Sequence, residues 1–187
     1  MNSNASTTNA SMRGGTWSIG PEPVCGTEGF QLRRAYYAEI ASRYWQRPAT
    51  DAEVAQGLAE DPGEELTPPT GEFLVGRLAG RPAACVGVRM LDATTAELTR
   101  VYVRPEARGT GGGAALLVAV EAVARTLGAT RLRLDTRSDL IEARRLYARH
   151  RYREIPAYNS GRYAEHWFEK HLAAQAPTRP TCVNGSH

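Results

Sequence analysis

Lysine is almost missing from this chain: of 23 basic residues only Lys170 is a lysine, and all the others are arginine. Schiff-base chemistry is thereby confined to a single amine near the end of the sequence. Cysteine is scarce too. Cys25, Cys85 and Cys182 form an odd, widely spaced set without a C-x-x-C pair, which argues against a disulfide framework and a structural zinc site. No metal is expected, and the thiols are read as reduced, in a cytoplasmic protein. No apolar run approaches the roughly 20 residues of a membrane span, and the N-terminal "MNSNASTTNASMRGG" lacks the apolar segment of a secretory signal. A membrane partner is therefore not expected. Nor is nucleic acid, because a net charge of +3 without a long basic block leaves no electrostatic footprint.

What is present suits one globular domain: 187 residues, 42% apolar and 23% charged. Residues 1–15 and 173–187 are small, polar and without periodicity, and are expected to be tails flanking a domain over residues 16–172. Leu32, Tyr36, Ile40 and Tyr44 recur at helical spacing before Pro48, and Thr50 with Glu53 forms a capping-box pattern for a short second helix. "GEFLVGRL" and "PAACVGVRML" read as strands joined at Gly80 and Arg81, and "TAELTRVYV" as a third strand. A helix with Leu116, Val120, Val123 and Leu127 on one face ends at Gly128. The strand "RLRLDT" comes next, then a helix opened by an Asp139–Glu142 capping-box pattern, and "HWFEKHL" closes the order. One more strand is expected near each end. Hairpin strands followed by strand–helix–strand units imply a mixed sheet of the α/β (α+β) kind with helices on both faces.

The segment "RPEARGTGGG" sets four glycines against the start of an apolar helix, although each glycine costs a helix about 1 kcal/mol relative to alanine. A linker would not join a strand to a helix whose packing is fixed. The triphosphate-gripping loop needs Gly-Lys-Ser/Thr, and no lysine stands here. Gly109, Gly111 and Ala114 match the dinucleotide turn G-x-G-x-x-A, with Asp135 ending a later strand. Against that turn, "RPEAR" separates the strand from the first glycine, and too little chain follows for further parallel strands. A cradle for another phosphorylated ligand uses every feature, since a helix start offers unpaired N–H groups and partial positive charge.

"VYVRPEARGTGGGAALL" resembles the acetyl-CoA-binding segment of the GNAT superfamily of N-acetyltransferases, whose signature Arg/Gln-x-x-Gly-x-Gly/Ala is filled by Arg108, Gly111 and Gly113. "LYARHRY" is similar to that family's LY-x-x-x-G-F element, so the resemblance spans roughly residues 70–170. It implies a GNAT-like, mostly antiparallel central sheet of six to seven strands. It also implies that the amides of Arg108, Gly109, Thr110, Gly111, Gly112 and Gly113 hold the pyrophosphate of coenzyme A, with Val101, Tyr102 and Val103 beside the pantetheine arm. Glu97 falls where catalytic glutamates of similar proteins stand, and would accept the proton of an acceptor amine. Strand alternation puts it on one face with Val101 and Val103. Tyr147 matches the family's tyrosine whose hydroxyl approaches the thioester sulfur, and would act as acid. A backbone N–H near Val103 or Arg104 would meet the charge developing on the thioester oxygen.

Two positions depart from the family pattern: Leu140 stands in place of asparagine, and Arg151 in place of glycine before Tyr152. The expected reaction is direct transfer of acetyl from acetyl-CoA to a primary amine of a small molecule or peptide, within a ternary complex. A different class stays open, an acetyl-CoA-binding sensor with little chemistry. Nine arginines between Arg125 and Arg153 would steer the 3′-phosphate of the carrier or form a solvated face. By the same resemblance the acceptor pocket is built from the first two helices and the late loop: Tyr36, Tyr37, Tyr44 and Trp45, the acidic run from Asp51 to Glu65, and "AYNSGRYAEHW" suit a cationic amine, and a solvated acidic face explains the run at least as well. A homodimer is plausible by analogy with the family.

Overall fold

The three longest strands, "GEFLVGRL", "RPAACVGVRM" and "TAELTRVYV", carry the longest buried runs and lie side by side in the sheet. The computed structural model describes residues 15–173, so the two expected tails lie outside it but for their innermost positions. A seven-stranded sheet runs in the order β1-β2-β3-β4-β5-β7-β6. Its strands are β1 Trp17–Pro21, β2 Gly71–Leu78, β3 Arg81–Met90, β4 Thr95–Val103, β5 Arg131–Thr136, β6 Arg153–Ile155 and β7 His166–His171. The helices are α1 Thr27–Trp45, α2 Asp51–Glu60, α3 Gly112–Thr126 and α4 Ile141–Arg149. Neighbouring strands are antiparallel except β4 and β5, which run parallel. That parallel register covers only Thr95↔Arg131 to Glu97↔Arg133. Beyond it the two strands part.

Each face of the sheet has its own core. Leu116, Leu117 and Val120 of α3 and Tyr147 of α4 pack on one face, against Val86, Val88, Leu98 and Leu132. Leu32 of α1 joins Phe73, Val75, Cys85 and Tyr102 on the other. Fully burying one such aliphatic side chain contributes about 2 kcal/mol as an upper figure.

The sheet parts because β4 carries a surplus residue. Cys85 faces Tyr102 and Gly87 faces Thr99, so two steps on β3 match three on β4, and Arg100 takes up the difference at φ 52°. A bulge of this kind reverses which face the following side chains take. Val101 and Val103 therefore pack with the α3 core, while Tyr102 belongs to the α1 core. Glu97, next to Leu98 of the α3 core, points to the α1 side. The expectation that Glu97 shares a face with Val101 and Val103 is thus corrected: alternation holds only in an unbulged strand.

Two local readings also change. The β2–β3 turn is Ala79–Gly80, with φ of 50° and 77°, and Arg81 already begins β3. The Asp139–Glu142 capping box does not form. Leu140 precedes α4 without a side-chain cap, because Asp139 pairs with Arg137 and Glu142 with Arg43. At α2 the expected box is present: Glu53 N–H donates to Thr50 Oγ1 at 3.3 Å, and the Thr50 N–H donates to Glu53 Oε2 at 2.8 Å. Thr50→Ala should cost about 1 kcal/mol of stability, read as a lower midpoint in urea denaturation with an unchanged slope.

Candidate functional site

The split between β4 and β5 opens into a cleft of about 810 Å³ bounded by α1, the end of β4, the glycine loop and α4. On its floor, β4 turns an unpaired edge outward. The Arg104 N–H donates to Ala83 O of β3 at 2.8 Å. By strand alternation, the N–H and C=O groups of Val101 and Val103 then face the side β5 has left. The suggestion that Arg104 supplies an N–H to the thioester oxygen is corrected accordingly; the Val103 N–H remains.

At one end of the cleft the chain runs through a 3₁₀ turn, Pro105–Ala107, into the glycines. Gly109 and Gly111 have φ of 76° and 91°, with open space where a side chain would project. The first helical hydrogen bond of α3 runs from Ala115 N to Gly111 O, so the N–H groups from Gly109 to Ala114 find no backbone acceptor among the described residues. Converging N–H groups at a helix mouth make an anion site. Gly113 is small for a different reason, since a Cβ there would stand 2.9 Å from Leu146 Cδ2 of α4.

Arg108 is held rather than free: its Nε donates to Val103 O at 3.0 Å and its Nη2 pairs with Glu39 Oε2 at 2.5 Å. Glu39 also meets Arg43, which reaches Glu142 of α4. Arg145 and Arg149 of α4 face the same cleft. Val101, Tyr102, Val103, Arg108, Gly109, Gly111, Gly112 and Gly113 are thus brought together around one space. Thr110 turns away from it toward Trp17.

Glu97 and Tyr147 lie beside this cleft rather than in its lining. Glu97 is 4% exposed and has both carboxylate oxygens engaged. Oε2 accepts from Arg89 Nε and Nη2 at 2.8 and 2.6 Å, and Oε1 accepts from the Tyr158 hydroxyl at 2.8 Å. Tyr147, also 4% exposed, packs against Tyr152 and Phe168, and no hydrogen bond among the described residues engages its hydroxyl. Burial and then the nearby Asp135 push this phenol up from its ordinary range. Burial, then the Glu97 carboxylate, does the same at Tyr158. Asp135 accepts from Asn159 Nδ2 at 2.8 Å, and burial raises its carboxyl.

Sequence reading missed Arg89, Asp135 and Trp17 as parts of the site, and Glu39 as a wall of the cleft. It also assigned Tyr36 to an acceptor pocket alone, whereas the ring lines the cleft beside Val101 and Tyr102. The acidic run is largely answered by arginines: Asp51 by Arg34, Glu53 by Arg47, Asp61 by Arg100, and Glu65 by Arg89. Tyr44, Trp45 and Tyr163 do form an exposed aromatic cluster, with the Arg137 guanidinium 5.2 Å from the centre of Tyr44. Among the described residues no His, Cys, Asp and Glu side chains group as a metal site, and no helix is long and apolar enough to cross a membrane.

Fold and cleft together define an α/β protein with an anion-favouring mouth at a split in its sheet. The sequence profile of the acetyltransferase (GNAT) family matches residues 33–152. The chain belongs to that family. An uncharacterized N-acetyltransferase of Schizosaccharomyces pombe is 36% identical over 89 residues, 46% of this chain and 55% of the relative, so the match spans about half the relative's length. A Klebsiella pneumoniae protein assigned as an acyl-CoA N-acyltransferase superposes with a TM-score of 0.65 at 26% identity, over 84% of this chain and 99% of that one. The PaiA N-acetyltransferase of Thermoplasma acidophilum, solved with coenzyme A, shares the fold with a TM-score of 0.65 at 14% identity, over 83% and 99% of the two chains.

The raised carboxyl of Asp135 has a consequence for stability. A carboxyl whose folded pKa exceeds its unfolded value contributes stability below the unfolded pKa and loses it as pH rises through the folded one. Asp135→Asn should therefore melt above wild type at pH 7, with the advantage vanishing as both are acidified below the carboxylate range. Thermal unfolding across pH 4–8 measures this.

Proposed function

We propose that this protein transfers an acetyl group from acetyl-CoA directly to a primary amine within a ternary complex. The observation that carries the reading is the row of unpartnered N–H groups from Gly109 to Ala114, at a helix mouth that opens on the cleft. The open positions at Gly109 and Gly111 fit a diphosphate approaching the main chain. The edge of Val101–Val103 that β5 leaves, where Val103 O accepts from Arg108 Nε, fits the amides of the pantetheine arm as an added strand would. Arg145 and Arg149 suit the 3′-phosphate end of the carrier. Acetyl-CoA supplies the acetyl thioester; the rest is done by side chains and amides of this chain.

An alkyl amine with a pKa of about 10.4 costs roughly 4 to 5 kcal/mol to deprotonate at neutral pH. Glu97 takes up that proton through the Tyr158 hydroxyl: the amine's proton passes to the Tyr158 oxygen while the Tyr158 proton moves to Oε1. The Val103 N–H meets charge gathering on the thioester oxygen. Tyr147, whose hydroxyl keeps its proton at neutral pH, donates to the departing sulfur as the C–S bond breaks, and the second proton, shed by the newly acylated nitrogen, passes through solvent to restore the phenol, while the first leaves Glu97 for solvent.

Thiol release measured against a panel of polyamines, amino acids, aminoglycosides and short peptides tests this reading. Glu97→Gln should lower kcat about 100-fold, and Tyr147→Phe about 10- to 100-fold, with coenzyme A affinity preserved. Wild-type protein that binds coenzyme A yet releases no thiol with any acceptor is a sensor instead.

A further inference from the structure

The glycine loop is flexible by composition, yet it is clamped from one side by a residue far away in sequence. Trp17 opens β1 on the sheet edge, opposite Leu78 of β2. Its Nε1–H is shared between the carbonyl oxygen and the Oγ1 of Thr110, each at 3.1 Å, and Thr110 Oγ1 donates to Ala107 O at 2.7 Å. The indole packs against Gly112, where any Cβ would collide with the six-membered ring. Trp17 therefore touches the loop on both sides of the left-handed Gly111, and Thr110, through its bond to Ala107 O, ties the chain across the left-handed Gly109.

We propose that Trp17 is a positioning residue for the diphosphate of acyl-CoA, aiming the loop amides from the sheet edge. The inference rests on the reading of the cleft given above. Its physical basis is the planar trans peptide, in which the carbonyl of one residue and the N–H of the next point opposite ways. Holding Thr110 O toward Trp17 turns the Gly111 N–H the other way, and Gly111 lines the cleft. Packing on Gly112 fixes the next amide in the row. Without this clamp a loop so rich in glycine visits many shapes, and ligand affinity falls with the fraction of molecules in the competent one.

Trp17→Phe keeps an aromatic side chain at the sheet edge but removes the N–H and the outer ring that meets Gly112. Calorimetric Kd for coenzyme A and KM for acetyl-CoA should each rise about tenfold, while kcat and the acceptor KM stay within twofold. Acetyl-pantetheine, which lacks the diphosphate, should be used by variant and wild type with equal kcat/KM. Thr110→Ala, which leaves the ring and the core beneath it in place, should show the same selectivity at about threefold. Unchanged coenzyme A affinity in both variants overturns the proposal, as does an equal loss with acetyl-pantetheine. Wild-type protein that binds no coenzyme A overturns the reading of the cleft, and the role of Trp17 with it; wild-type binding matched by Trp17→Phe overturns the role of Trp17 alone.

Discussion

One surplus residue in β4 organises this molecule. At Arg100 the strand takes a left-handed step, the pairing with β3 slips, and β5 follows β4 only as far as Glu97. The step is held from below. Arg100 is 5% exposed and its guanidinium pairs with Asp61 at the end of α2. Left-handed backbone at a non-glycine residue costs on the order of 1 kcal/mol or more, and persists where surrounding contacts over-determine it. Here the ion pair and the ordered strands on either side do so, and the strand beyond it has an edge that β5 does not pair.

That edge explains the rest of the site. A sheet that closed normally would bury Val101–Val103 between neighbours; a split sheet leaves their polar groups facing a cleft whose other wall is α4. The same split separates two environments. The α3–α4 side offers loop amides and arginines to an anionic carrier. The α1 side holds Glu97 bonded to Arg89 and Tyr158, and near them Asp135 bonded to Asn159. The hydroxyl of Tyr147 feels Asp135 across the gap. Burial of the Asp135 carboxylate lowers stability at neutral pH.

Much of this was legible in the chain itself. The bounds of β2, β4 and β5 follow from turn residues and apolar alternation, and the Thr50–Glu53 box was readable because both partners are local. The bulge was also written in the sequence. Apolar residues at 96, 98, 101 and 103 jump by three between Leu98 and Val101, where an unbroken strand would step by two. The Asp139–Glu142 pattern failed because ion pairs with Arg137 and Arg43 compete for both carboxylates, and Arg43 lies almost a hundred residues earlier. Trp17 was invisible for the same reason, since only the sheet order brings β1 beneath the glycine loop. Gly112 itself gave no hint, as a glycine required by packing and one required by φ look alike in a sequence.

The claim on which the account stands is that loop amides receive a diphosphate. Amide ¹H and ¹⁵N resonances followed during titration with coenzyme A test it residue by residue. The account predicts large downfield shifts of the N–H groups between Gly109 and Ala114, saturating together at one equivalent of ligand. Saturation of the protein with those resonances unmoved would contradict it.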